Sequence, residues 1–165
     1  EESGYEIDNF KLQVTNRPDL GEYQINDAMQ LAKKYHKNPR EIAEDITEKL
    51  EEYIDWFKAE TSVRKLGEYY EISVPFLDKN NDYIQFYVNF QDTEVMFTDG
   101  GETVNALKMD SSFCNERKQQ KINTILQQNH VYLAEDEFVL SVAADKFVMG
   151  MHEFLQCMIE ISNIT

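Results

Sequence analysis

This chain has little of what breaks or staples a fold. Its 165 residues include only 6 Gly, 3 Pro and 2 Cys, which leaves little room for a long linker or a disulfide framework. Cys114 and Cys157 stand far apart, with no CxxC or Cys/His metal spacing, beside the apolar Phe113 and Met158. They read as two buried thiols in a reducing cytosol. No stretch reaches the roughly 18 consecutive apolar residues that a spanning helix needs. The acidic start Glu1-Glu2 argues against a secretory leader, so a cytoplasmic protein is expected. Positive charge is also scarce: 16 Lys and Arg face 31 Asp and Glu, a net charge of −15. A chain this acidic repels phosphate at long range, and overall it lacks the basic footprint of a nucleic-acid binder.

What is present points to a folded protein. Apolar residues make up 42% and aromatics 12%, more buryable surface than a disordered chain carries. Residues 5–15 partly alternate and are rich in strand formers, and Asn16 to Leu20 is turn-like around Pro18. Ile25, Ala28, Met29, Ala32 and Tyr35 recur at 3–4-residue spacing and predict a helix over about Gln24 to His36. Asn38-Pro39 restarts it, with Asn38 as N-cap and Glu41 as a capping-box acid. Ile42, Ile46, Leu50, Tyr53, Ile54 and Phe57 then carry a long helix to about Ala59.

Beyond that, the pattern changes to strands near 69–77, 83–90 and 94–98, with turns at Asp78–Asp82 and Asp99-Gly100-Gly101. A short helix from Thr103, a clear one over Glu116–Asn129, a hairpin over 131–142 and a last helix from about Asp145 to Ile164 complete the reading. The expected fold class is α+β: a small antiparallel sheet packed with helices, plus an N-terminal strand–helix–helix lobe. Residues 1–49 and 50–165 are the expected domains. No internal repeat is evident.

Two stretches resemble known families. Gly21-Glu22-Tyr23-Gln24-Ile25-Asn26, followed by Ala28, Leu31-Ala32-Lys33, Asn38-Pro39, Ile42-Ala43 and Ile46, is similar to the N-terminal domain of arginyl-tRNA synthetases. The resemblance implies that Tyr23, Gln24 and Asn26 contact the elbow of a tRNA, with Lys33 and Lys34 on phosphates. Glu22 stands where that family usually has Asp, and the HIGH-like and KMSK-like nucleotide-activating motifs are absent, so these residues cannot aminoacylate. Structurally, Tyr23 and Asn26 could instead only pack and cap a helix.

From about Leu50 onward the chain resembles the phage and prophage family known as domain of unknown function 1828. The motifs are Tyr53-x-x-Trp56, Glu71-Ile72-Ser73-x-Pro75-Phe76-Leu77-Asp78, Asn81-Asp82-x-Ile84-x-x-Tyr87, Thr98-Asp99-Gly100-Gly101-x-Thr103, Arg117 and His152. That family implies no activity.

Chemistry must then be sought residue by residue. Glu71, Asp78, Asp82, Asp99 and Glu102 sit at strand ends or turns, where Mg²⁺ could be held for a nuclease. The plainer reading makes Asp78, Asp82 and Asp99 turn residues. If Phe86, Val88 and Phe90 face inward, Tyr83, Gln85, Tyr87 and Asn89 face outward. That face could bind a protein partner or stack bases, unless helices cover the sheet on both sides.

Three functions are therefore carried forward. The first is a non-enzymatic, acidic phage or mobile-element protein, needing no cofactor, that inhibits a host defence or nucleic-acid-processing complex in the manner of an anti-CRISPR. The second is a tRNA- or RNA-binding module using the N-terminal lobe. The third is a metal-dependent nuclease.

Overall fold

A computed structural model describes residues 12–14, 23–25, 28–109 and 115–164, with side chains from residue 31 onward. The chain divides into two compact units, Glu1–Lys58 and Ala59–Thr165.

In the first unit, β1 (Leu12–Val14) pairs antiparallel with β2 (Tyr23–Ile25), and two helices follow, α1 (Ala28–Tyr35) and α2 (Pro39–Glu60). Tyr23–Ile25 is thus strand where the helical spacing predicted the start of α1. Pairing with Leu12–Val14 satisfies backbone groups that a helix would otherwise have claimed, a tertiary override of a short local pattern. His36 ends α1 in the left-handed region (φ +53°). Asn38 then caps α2 as expected, its Oδ1 accepting the Arg40 N–H at 2.9 Å. Leu31, Ala32, Ile42 and Ile46 are buried against one another, with Tyr35, Ala43 and Leu50 packed around them. Further along α2 the apolar residues surface: Tyr53, Ile54 and Trp56 are about half exposed.

In the second unit, six antiparallel strands lie in the order β3-β4-β5-β6-β8-β7. They are β3 (Ser62–Leu66), β4 (Tyr69–Leu77), β5 (Tyr83–Phe90), β6 (Glu94–Thr98), β7 (Tyr132–Ala134) and β8 (Glu137–Ala143). Helices α3 (Glu102–Met109) and α4 (Glu116–Gln128) separate β6 from β7, and α5 (Phe147–Ser162) closes the chain. The α+β class and the antiparallel sheet are as the sequence predicts; β3 is an addition. It forms a hairpin with β4 across Gly67-Glu68, and all five of its residues are exposed. Arg64 and Lys65 lie on this edge strand, where charge discourages further strand pairing.

Alternation on β5 decides which face is core. Ile84, Phe86 and Val88 are buried, while Gln85, Tyr87 and Asn89 stay partly exposed. Phe90, expected inward, ends the strand more than half exposed, although its ring stacks on Phe147 at 5.6 Å. On the covered face Phe97 is the hub, with ring centroids 5.6 Å from Phe147, 6.0 Å from Phe154 and 6.5 Å from Phe86. Burying each such ring stabilises by roughly 2–3 kcal/mol. Helix α5 comes this close because residue 150 is glycine. A Cβ there would stand 2.7 Å from Val142 Cγ2 and 3.0 Å from Phe97. Val148 and Met149, in the first turn of α5, stay exposed.

Asp99, at the end of β6, is 1% exposed. Its Oδ1 accepts the N–H groups of Phe138 (2.7 Å) and Gly101 (3.1 Å), and its Oδ2 accepts that of Thr103 (2.9 Å). One carboxylate thereby fastens β8, the Gly100-Gly101 turn and the first turn of α3. Burial pushes its pKa above the ordinary value, and the backbone N–H groups oppose that rise only in part.

Asp99→Ala should therefore destabilise the fold by about 3 kcal/mol, since it strands buried donors. Because the folded pKa is raised, the folded state holds its proton more tightly than the unfolded state. The stabilisation from Asp99 is greatest below the ordinary 3.8 and falls as pH rises through the raised value. Urea titrations of both proteins across this range should show the gap narrowing towards neutral pH. Gly150→Leu should cost about 2 kcal/mol or more by lifting α5 from Val142, and Gly150→Ala less, because alanine's helix preference offsets about 1 kcal/mol.

Candidate functional site

Two groups of residues carry the chemistry that the sequence puts forward, one in each unit. In the first unit Tyr23 and Gln24 lie on β2, opposite Val14 and Gln13. Asn26 lies outside the described residues. Lys33 and Lys34 occupy the last turn of α1 and are exposed, with the Lys34 Nζ 5.5 Å from the centre of the Tyr35 ring. Cations here also complement the negative end of the helix dipole. The turn adds two exposed cations that the motif did not single out. Lys37 Nζ is 3.6 Å from Asp45 Oδ2, and Arg40 Nε donates to Glu44 Oε1 at 2.7 Å. That hydrogen bond, then the Glu44 charge, holds the Arg40 guanidinium above its usual pKa. A windowed count of charge would have found both, because residues 33–40 hold four cations and no acid.

In the second unit a cleft of about 580 Å³ opens between the β4–β5 turn, α3 and the end of α5. It brings together Asp78, Asp82, Tyr83, Gln85 and Glu102 over apolar Leu107, Met158 and Ile161. The turn that carries the acids is self-contained. Asp78 Oδ1 accepts the N–H groups of Asn80 (2.8 Å) and Asp82 (2.9 Å), and Oδ2 accepts from the Asn80 amide at 3.2 Å. This is an Asx-type turn, as the plainer reading has it. Tyr83 donates to Glu60 at 3.0 Å, which, ahead of burial, raises its phenol pKa.

Glu71, Asp99 and Tyr87 do not line the cleft. Glu71 sits opposite Arg64 on β3 and accepts two bonds from its guanidinium, both at 2.9 Å. Tyr87 donates to Glu102 at 3.4 Å, and its ring packs against Gly100, where an added Cβ would stand only 2.8 Å away. Gly100, at φ +61°, is thus held to glycine by conformation as well as by space. Burial first, then Glu102 and Glu71, raises the Tyr87 pKa. The Thr98-Asp99-Gly100-Gly101-x-Thr103 motif is a fold-building corner: Thr98 Oγ1 donates to Glu137 at 2.6 Å and accepts the Gly100 N–H at 3.0 Å. Of the five carboxylates of the nuclease reading, Asp78, Asp82 and Glu102 thus line the cleft, while Glu71 is in an ion pair and Asp99 is a buried brace. Among the described residues, no group of three or more His, Cys, Asp or Glu could hold a metal ion.

The other reactive types have structural surroundings. Cys157 is buried, and burial, ahead of Glu160 and Asp99, pushes its thiol up to about 12; Cys114 lies outside the described residues. His130 is exposed in a turn before β7, 3.5 Å from Glu153, and His152 is exposed on α5. None of the described helices is long and apolar enough to cross a membrane.

Comparison with known proteins gives each unit a relative. Residues 2–67 match the model of the arginyl tRNA synthetase N terminal domain. An arginine–tRNA ligase of Thermotoga maritima is 45% identical over 49 residues, which is 30% of this chain and 9% of that enzyme. The match thus spans a small fraction of the ligase. No solved structure matches. Residues 74–161, more than half of the chain, match the model of a domain of unknown function, DUF1828. By that match the chain belongs to the DUF1828 family.

Proposed function

We propose that this protein is a tRNA-binding module, with the first unit meeting the RNA. The observation that carries the reading is the match of residues 2–67 to the arginyl tRNA synthetase N terminal domain, together with the 45% identity to an arginine–tRNA ligase. Tyr23, Gln24 and Asn26 are the proposed contacts to the folded RNA, and Lys33 and Lys34 neutralise phosphates. Two exposed cations at a helix end suit that task, because release of condensed counterions is the main sequence-independent driving force for binding nucleic acid. Binding of this kind needs no cofactor, and its setting would be the cytoplasm, where tRNA is found.

A second reading keeps a protein partner. Its support is the net charge of −15 and the partly exposed Tyr83, Gln85 and Tyr87 of the second unit. On that reading the protein, of phage or mobile-element origin, covers the basic groove of a host defence or nucleic-acid-processing complex.

Gel shifts with total tRNA at low salt separate the two. Wild-type protein should retard tRNA, and Lys33→Ala/Lys34→Ala should weaken binding about tenfold or more near 0.1 M salt. Gln24→Ala/Asn26→Ala should weaken it with little change in salt dependence; unaltered binding would remove those two residues from the site. No retardation at any salt concentration, combined with a stoichiometric complex with a host nucleic-acid enzyme, would favour the second reading.

A further inference from the structure

Charge is unevenly distributed along the first unit. Residues 33–40 carry Lys33, Lys34, Lys37 and Arg40 with no acid, whereas the other 12 of the chain's 16 cations are set among all 31 acids. Helix α2 runs on from this turn for 22 residues, about 33 Å at 1.5 Å per residue. Its eight acids, from Glu41 to Glu60, are all exposed, against only Lys49 and Lys58 beyond Arg40.

Resting on the RNA-binding reading, we propose that the turn between α1 and α2 is the phosphate-docking edge. It takes a compact cluster of phosphates, such as a bend or loop of a folded RNA, and α2 excludes a continuous duplex laid along it. The backbone that carries the cations is set before binding. His36 ends α1 with φ +53°, and the Asn38 side chain caps α2 on the Arg40 N–H. Lys37 and Arg40 already face carboxylates, Asp45 and Glu44, but their side chains are 52% and 85% exposed. Exposed pairs of this kind are weak, so a phosphate can replace the carboxylate at little cost. A duplex lying along α2 would set a row of phosphates against the row of acids, and within a Debye length of about 10 Å that repulsion is not screened out.

The prediction is quantitative in salt. Four cations allow a slope of log K against log salt no steeper than about −3.6, at about 0.9 per contact. The experiment measures binding of full-length protein to total tRNA, and to an RNA duplex of about 20 base pairs, at several salt concentrations. A shallow slope of about −2 to −3.6 for tRNA is expected, with duplex binding at least tenfold weaker. Lys37→Ala/Arg40→Ala should flatten the tRNA slope by about 2, and Glu48→Gln/Glu51→Gln should bring duplex affinity up towards that for tRNA. Far-ultraviolet circular dichroism checks that each variant folds. If wild-type protein binds tRNA while Lys37→Ala/Arg40→Ala leaves the slope unchanged, or if duplex and tRNA bind equally, the docking edge is wrong and the RNA reading stands. If wild-type protein binds no tRNA at any salt concentration, the RNA reading falls and takes the edge with it.

Discussion

The sheet of the second unit depends on the buried carboxylate of Asp99. β6 and β8 are neighbours in the sheet but are separated in the chain by two helices and β7, so their pairing calls for a tie other than a short turn. Asp99 supplies it, taking the Phe138 N–H at the start of β8 while its other oxygen holds the Thr103 N–H at the start of α3. The Asp99 N–H returns a bond to the Phe138 carbonyl. Around that corner, Thr98 meets Glu137 and Lys108 meets Asp136. A group of this kind, acidic and beside two glycines, reads in sequence first as a turn residue and second as a metal ligand. In the fold its hydrogen-bonding capacity is taken up by backbone.

The same logic separates fold from function elsewhere in the molecule. Glu71 is matched to Arg64 across β3 and β4, Asp78 closes its own turn, and Glu102 takes the Tyr87 hydroxyl. These groups are satisfied by near neighbours, and among the described residues no group of three or more His, Cys, Asp or Glu could hold a metal ion. In the first unit the minority sign is locally concentrated. A net −15 is an average, and averages conceal a local surplus of cations. Over residues 33–40, from the end of α1 to the start of α2, four cations stand without an acid, while the rest of α2 carries eight exposed acids.

Much of the second unit was legible from the chain. β4, β5 and β6 fall where alternation and turn residues placed them, and α4 starts at the expected Glu116. The hairpin of β7 and β8 is tighter than expected, turning at Glu135 and Asp136 with φ of 48° and 68°. Those values suit asparagine or glycine, and glutamate gives no such signal. β3 was not legible because Ser62–Leu66 is exposed at every position; a strand with no buried face leaves no period-2 pattern to read. α1 was placed too early for the opposite reason. Ile25 fits the helical stripe, but its strand partner Leu12, thirteen residues upstream, claims it.

By itself, the sequence determined the α+β class, the N-cap of α2, the alternation of β5 and the likeness of each part to a family. Those are local properties, set by residue type and spacing over a few turns. Tertiary structure decided which carboxylates are occupied, which face of the sheet is covered and that Phe90 surfaces at a strand end. It also decided that the cations around residues 33–40 stand exposed on a capped turn while Ile42 and Ile46 turn inward. These depend on groups distant in the chain meeting in space, as Asp99 meets Phe138 across 39 positions, and no local pattern carries that distance.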